Sequence, residues 1–243
     1  MYSVKNGGCA LVTVKLADLA IGVDNKYTFF EKLAASYITD EAPIFTVSAT
    51  ESEIEEEGKS EEGSFSEGYL ESIVIYRKIA EKLPMYGAFV FNSAVLSYRG
   101  GAYAFTARSG VGKTTHTRLW IKEFAPEVHY LNGDKPIVRF VNGAPIVFGT
   151  PYRGKEGYGV NESNPLKSIA FVERATENSA CVISAEAVAE SLVTQVYMPR
   201  DPMAAINTLR LVNKLAAAVK LVSIKVNMDA EAAHVARNVM YTE

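Results

Sequence analysis

The sequence predicts an α/β protein, α+β in balance, with a mixed β-sheet core built around one strand–loop–helix unit and a small N-terminal α/β part ahead of it. Three observations carry this. The run AYAFTA alternates like a strand, leads into a glycine-rich loop, and is followed by THTRLWIKEF with apolar residues at helical spacing. Short apolar runs separated by turn residues cluster on both sides of that unit. The chain has 243 residues, 48% of them hydrophobic, enough for one large or two small domains that bury a core without disulfides or metals.

Taken in order, CALVTVKL and LAIGVDN read as paired strands about a turn at Leu16-Ala17-Asp18. YTFFEKLAASYI has Phe29, Leu33 and Tyr37 at helical spacing, and PIFTVSA reads as a strand. Glu51 to Glu67 holds eight Glu and one Lys, which predicts a solvated acidic linker closing an N-terminal segment of residues 1–65. The core then spans 66–243. It opens with an amphipathic helix, YLESIVIYRKIAEKL, whose Tyr69, Ile73, Tyr76, Ala80 and Leu83 share a face and which Pro84 stops. Three strand-like runs follow in GAFVFNSAVLSYRGGAYAFTA, turning at Arg99-Gly100-Gly101. Beyond the glycine-rich loop and its helix come VHYLNG and KPIVRFV, a hairpin turn at Asn142-Gly143, the strand PIVFG, a long loop GTPYRGKEGYGVNESNP and the strand LKSIAFVERA. The remainder reads as mostly helical: Asp201-Pro202 opens a helix to about Val219, and Asp229 caps a last one.

Composition excludes several classes. A formal charge of −3 gives no general electrostatic case for a nucleic-acid partner. No apolar run approaches the ~20 residues of a membrane span, and the N-terminus lacks a signal-peptide layout, so a cytoplasmic protein is expected. Cys9 and Cys181 have no metal or redox spacing and read as buried thiols. His129 and His234 likewise read as structural.

The chemistry-bearing stretch is Ala107-Arg108-Ser109-Gly110-Val111-Gly112-Lys113-Thr114. It matches the phosphate-loop pattern G-x-x-x-x-G-K-[ST] with Ala at the first position. Gly110 and Gly112 let the backbone curl so that successive N–H groups converge on phosphate oxygens. Lys113 brings a positive charge to the outer phosphates, the Thr114 hydroxyl is a Mg²⁺ ligand, and the helix dipole adds to both. Residues Ser109, Gly110, Val111, Gly112, Lys113, Thr114 and Thr115 are thus the expected nucleotide contacts. Asp134, in HYLNGDKPIVRF, is the candidate acid to hold Mg²⁺ with Thr114 or to orient an acceptor. The alternative for Asn132-Gly133-Asp134 is an ordinary turn. Arg153 and Lys155, on the long loop, could steady a transferring phosphoryl group or simply face water. His116 and Arg118, just inside the helix, are expected to face solvent.

At these residues the chain resembles the HPr kinase/phosphorylase family, in particular its short HPr-kinase-like members. The resemblance rests on FVFNSAVLSYRGGAYAFTARSGVGKTTHTRLW, LNGDKPIVR and FGTPYRGKEGYGVNESNPLKSIAFVER, roughly residues 70–175. The nucleotide core of ATP-dependent phosphoenolpyruvate carboxykinase is similar in its SGxGKTT loop. The resemblance implies a P-loop core of that type, ATP and Mg²⁺ as cofactors, transfer of the γ-phosphoryl to a hydroxyl of an unidentified small molecule or peptide, and a homo-oligomer. The chain departs from the family in three places. Gly133 stands where a second acid is usual, Asn92 where His is frequent, and Pro151-Tyr152 where a Glu precedes Arg-Gly. Two functions follow as expectations: a Mg-ATP-dependent kinase, or a nucleotide-binding regulatory module without turnover. A P-loop ATPase or GTPase is a third and weaker reading, since no guanine-recognition signature is present.

Overall fold

In the N-terminal part of the computed structural model, the pairing is set by a two-residue turn. Strands β1 (Val12–Leu16) and β2 (Leu19–Asp24) are antiparallel neighbours, joined by Ala17 and Asp18, both at positive φ (51° and 58°). Two such residues in succession twist the chain as the strands twist, which is why this turn closes tight hairpins. A short helix, α1 (Phe29–Leu33), leads to β3 (Phe45–Ser48), which adds to β2 in parallel. The structure describes residues 11–60, 63–107 and 112–241, and they divide into two compact units between Leu83 and Pro84.

Two helices complete the first unit, α2 (Glu51–Ser60) and α3 (Glu67–Lys82). The acidic segment is therefore in large part a helix and not a linker. Its carboxylates have partners: Glu53 bonds Lys78 at 2.7 Å, Glu51 bonds Lys26 at 2.6 Å, and buried Glu57 pairs with Arg77. Ser66 caps α3 by accepting the Tyr69 amide. Fully buried Glu71 accepts the amides of Lys26 and Tyr27 at 2.6 and 3.0 Å, so the turn after β2 has its donors satisfied from α3. That packing puts α3 with the N-terminal unit, whereas the sequence reading began the core at residue 66.

The second unit contains β4 (Ala88–Val90), β5 (Ala94–Tyr98), β6 (Gly101–Thr106), α4 (Lys113–Phe124), β7 (Val128–Asn132), β8 (Ile137–Val141), β9 (Ala144–Phe148), β10 (Ser163–Arg174), β11 (Ser179–Val182), α5 (Ala185–Thr194), α6 (Pro202–Ala218), β12 (Lys220–Val226) and α7 (Glu231–Met240). Its mixed sheet runs β4-β8-β9-β10-β6-β5-β7, with β12 beside the second half of β10 and β11 beyond it. Strand β10 joins two regions. Its first residues pair antiparallel with β9, and after an irregularity between Leu166 and Ser168 it lies parallel between β6 and β12. The turns at Arg99-Gly100 and Asn142-Gly143 repeat the paired positive φ of the first hairpin.

Alternation along the central strands builds a layer on each face. Ala102 and Ala104 of β6 pack with Leu192, Val212 and Leu215 of α5 and α6, while Tyr103 and Phe105 pack with Trp120 of α4 and Ala232 and Ala236 of α7. A sheet flanked by helices on both sides buries its parallel strands, as they require. The C-terminal third is less helical than its composition predicts: KLVSIKV is β12, and SACV is β11. Asp201 does cap α6, accepting the Ala204 amide at 2.8 Å; the last helix instead has Ala230 at its N-cap, without a side-chain cap. Cys181 is exposed on β11, contrary to the expectation for a buried thiol, and Cys9 lies outside the described residues. No helix among the described residues is long and apolar enough to cross a membrane.

His116 also departs from expectation. It is 2% exposed, sits 5.4 Å from the Phe105 ring, and its Nε2 accepts the Trp120 indole N–H at 3.2 Å. Accepting there fixes the neutral tautomer with the proton on Nδ1, and burial pushes the imidazole pKa down to about 4. An unfolded histidine, near 6.5, binds a proton that the folded one refuses, so stability is present above pH 6.5 and drains away as pH falls toward 4. In ligand-free urea unfolding at pH 7 and pH 5, the parent should lose about 2 kcal/mol more than His116→Gln. Equal losses would show that the ring is not held neutral.

Candidate functional site

The topology brings the candidate residues to one edge of the sheet. Strands β6, β7, β10 and β12 all end there, and β5 starts there, because β5 is antiparallel to β6 and β7 while β10 is parallel to β6. In open α/β sheets this carboxyl edge is where ligands bind. Four segments meet at it: the loop after β6, the residues after β7, Asn92 and Ser93 before β5, and the end of β10.

From β6 the chain passes through residues 108–111, so the expected contacts Ser109, Gly110 and Val111 lie outside the described residues. Helix α4 then begins at Lys113, with Gly112 at the N-cap at φ 120°, a value that favours glycine. Lys113 is half-buried and its Nζ donates to the Ala107 carbonyl at 3.2 Å. Burial lowers its pKa, and the carboxylate of Asp134 works in the opposite sense. Amine and acid, 21 positions apart in sequence, therefore stand within each other's field. Thr114 is partly buried and Thr115 exposed. A partly desolvated ammonium suits phosphate oxygens, and a threonine hydroxyl with a carboxylate is the hard oxygen set that Mg²⁺ prefers; the residues present fit that pair of groups. No cluster of three or more metal-ligating side chains occurs among the described residues.

Asp134 is held by a framework that the sequence reading did not single out. Fully buried Asn132 accepts the amides of Asp134 and Lys135 at 2.9 Å each, and donates to the carbonyl and hydroxyl of Thr150 at 3.2 and 3.1 Å. Thr150, also fully buried, donates to the Lys135 carbonyl at 2.8 Å. The Asp134 carbonyl accepts the Ser93 amide at 3.0 Å. This is an Asx-type turn locked from both sides, the turn that the sequence offered as the alternative for Asn132-Gly133-Asp134.

The long loop folds back on that turn. Tyr158 accepts the Gly133 amide at 2.8 Å, and Leu131 accepts the Val160 amide at 3.2 Å. Its Arg153 is partly buried, with Nε donating to the Thr150 carbonyl at 3.4 Å, whereas Lys155 is exposed. The structure thus brings Arg153 beside the Asp134 turn and leaves Lys155 facing outward. Arg118 has a partner, against expectation: it lies over the Tyr158 ring, bonds its hydroxyl at 3.4 Å and pairs with Glu156 at 3.7 Å. Tyr158 in turn stacks on Tyr130 with ring centroids 4.6 Å apart, and Thr117 shares a hydrogen bond with the Tyr130 hydroxyl at 2.9 Å. Helix α4 is therefore tied to the long loop. His129 and His234 pair with Glu162 and Glu123 at 2.9 and 3.3 Å, away from this cluster.

Gly133 has a steric reason. A Cβ at this position would lie 2.9 Å from the Arg153 carbonyl oxygen and 3.1 Å from that of Tyr158. Both obstacles are backbone, so they yield only if the loop moves. The folded loop thus leaves no room for a side chain at position 133.

No family model matches the chain, and no curated protein matches it by sequence. Among solved structures, the HPr(Ser) kinase/phosphatase of Coxiella burnetii is similar over 61% of this chain and 94% of its own, at 11% identity and a TM-score of 0.35. A likeness that distant carries nothing about function.

The packing at Gly133 is directly testable. Gly133→Ala should cost about 1–3 kcal/mol through overpacking and speed amide exchange across residues 150–160, read by hydrogen-exchange mass spectrometry. Unchanged exchange would mean that the loop has room to spare.

Proposed function

We propose that this protein is a Mg-ATP-dependent phosphotransferase that moves the γ-phosphoryl group to a hydroxyl of a small molecule or peptide. The observation that carries the reading is that Lys113, half-buried at the start of a helix that follows a central parallel strand, stands in the electrostatic field of Asp134, on the turn that ends β7 at the same sheet edge. Bound Mg-ATP would supply an activated phosphoryl group and a metal that spreads its negative charge. Lys113 and the amides around Gly112 would hold the phosphates, with Ser109, Gly110, Val111 and Thr115 as the remaining loop contacts. Thr114 and Asp134 would hold the metal. Asp134 would also orient the acceptor hydroxyl and take its proton at a carboxylate oxygen, a double duty that follows from the glycine beside it. Arg153, tethered at the Asp134 turn, would face charge building on the transferring group, with Lys155 as a further cation at the loop's outer side.

A second reading is favoured by one observation, the exclusion of a Cβ at Gly133 by two carbonyls. A site that cannot accept the second acid without moving its loop suits a nucleotide-binding regulatory or interaction module with little turnover.

Two measurements separate these. Mg-ATP at ~100 times its dissociation constant should stabilise the fold by about 2.7 kcal/mol, a shift of a few degrees in Tm, and Lys113→Ala should abolish the shift. No shift in the parent, confirmed by direct binding, would end both readings. In single-turnover assays with hydroxyl-bearing metabolites and peptides, the parent should transfer the γ-phosphoryl while Asp134→Asn falls at least ~100-fold. Binding without transfer supports the module; equal transfer by parent and Asp134→Asn removes Asp134 from its role.

A further inference from the structure

The end of β10 places a cation at the phosphate loop that the motif does not include. Strand β10 is in parallel register with β6 as far as Phe171↔Thr106, the last residue of β6, and then continues through Val172, Glu173 and Arg174. Those three residues are not loose. They remain paired with β12 as Val172↔Ile224, Glu173↔Lys225 and Arg174↔Val226, and the next amide, that of Ala175, also bonds the Val226 carbonyl at 3.1 Å. Strand alternation fixes the face: Ala170 and Val172 pack in the cluster that contains Trp120 of α4, and Arg174 is two residues further on the same side. A long side chain on the α4 face, just beyond the end of β6, meets the N-terminus of α4. The distance agrees, since Arg174 Nε stands 3.8 Å from where a Cβ on Gly112 would be.

We propose that Arg174 is a phosphate-binding residue of this site, gripping the nucleotide's phosphate chain on the side of the loop away from Asp134. The inference rests on the nucleotide-binding reading above. In sheet order β10 lies on one side of β6 and β7, beyond β5, on the other, so Arg174 and Asp134 approach from opposite sides, the one toward phosphate oxygens and the other toward metal and acceptor. A guanidinium offers a planar fork of N–H donors that matches two phosphate oxygens at once, which an ammonium such as Lys113 does not. Pairing of its backbone with β12 fixes the point from which that fork reaches.

The test is a calorimetric titration of the full chain with Mg-ATP and, separately, with inorganic tripolyphosphate, which carries the phosphate chain without base or sugar. Arg174→Ala should weaken both by about tenfold to a hundredfold, as expected for a lost charged hydrogen bond. Arg174→Lys should recover only part of the loss, and Glu173→Ala, on the opposite face, should bind as the parent does. Ligand-free thermal unfolding identifies any variant that loses binding by losing its fold; for such a variant Arg174→Lys provides the comparison. If the parent binds neither ligand, the nucleotide reading itself fails. If the parent binds, Lys113→Ala does not, and Arg174→Ala binds like the parent, the site stands and the role of Arg174 is overturned. A loss for ATP with tripolyphosphate unaffected would also overturn it, because the residue would then be reading the nucleoside.

Discussion

The parallel pairing of β10 with β6 is the constraint on which the rest of the second unit depends. A parallel strand cannot reach its neighbour by a tight turn, so the chain must travel from one end of the sheet to the other between Thr106 and Leu166. The intervening segment holds α4, the Asp134 turn, the β8–β9 hairpin and the long loop. All of the candidate site except Asn92, Ser93 and Arg174 lies in that excursion. The same pairing fixes which strand ends share an edge, since β12 aligns on β10, β5 on β6 and β7 on β5. A slip of one residue in β10 would reverse its faces, turning Val172 away from Trp120 and Arg174 away from Gly112.

Local chemistry was legible where it acts locally. Paired positive-φ turns at Arg99-Gly100 and Asn142-Gly143, the Asp201 cap with Pro202 behind it, and the strand–loop–helix order around Lys113 each arise from neighbours in sequence, and each can be read there. The position of Asp134, just past the end of the first strand after the loop, was legible for a similar reason. The misses are non-local. KLVSIKV becomes a strand because β10 offers a partner, not because its own pattern forbids a helix. ESEIEEEGKS becomes an ordered helix because Ile54 packs with Tyr27 and Leu70 and buried Glu57 meets Arg77, partners distant in sequence. His116 had a usable signal, its i, i+4 spacing to Trp120, which places both on the buried face. The framework of Asn132 and Thr150 had none, for 18 residues separate two uncharged side chains that only the folded loop brings together.

The loop and the turn beneath it constrain one another. Backbone carbonyls from Arg153 and Tyr158 close over Gly133, while Gly154 comes so near Asp134 that a Cβ there would lie 3.1 Å from the Asp134 Cβ. Side chains at 133 or 154 would open that contact, and the loop would lose its seat beside the carboxylate. The Arg118–Tyr158–Tyr130 stack then connects this seat to α4. Surface ion pairs such as Arg118–Glu156 contribute little by themselves. The stabilisation comes instead from stacked rings and from backbone hydrogen bonds, and these hold position more firmly than they add stability.

Electrostatics completes the argument. Lys113 is drawn out of water with a backbone carbonyl as its hydrogen-bond acceptor and the Asp134 carboxylate near enough to offset part of the desolvation. A partly buried ammonium in that state is incompletely compensated, and burying charge without full compensation is unfavourable. Arg174 and Arg153 approach the same edge from β10 and from the loop, adding positive charge to an environment in which the turn contributes a single carboxylate. Under the proposed function, an anion of several charges at that edge would offset the desolvation of Lys113, as in a preorganised binding site. The direction of the Lys113 shift therefore follows from the same placement that supports the proposed function: the fold accepts a cost at this lysine, and a phosphate chain is the kind of ligand that would remove it.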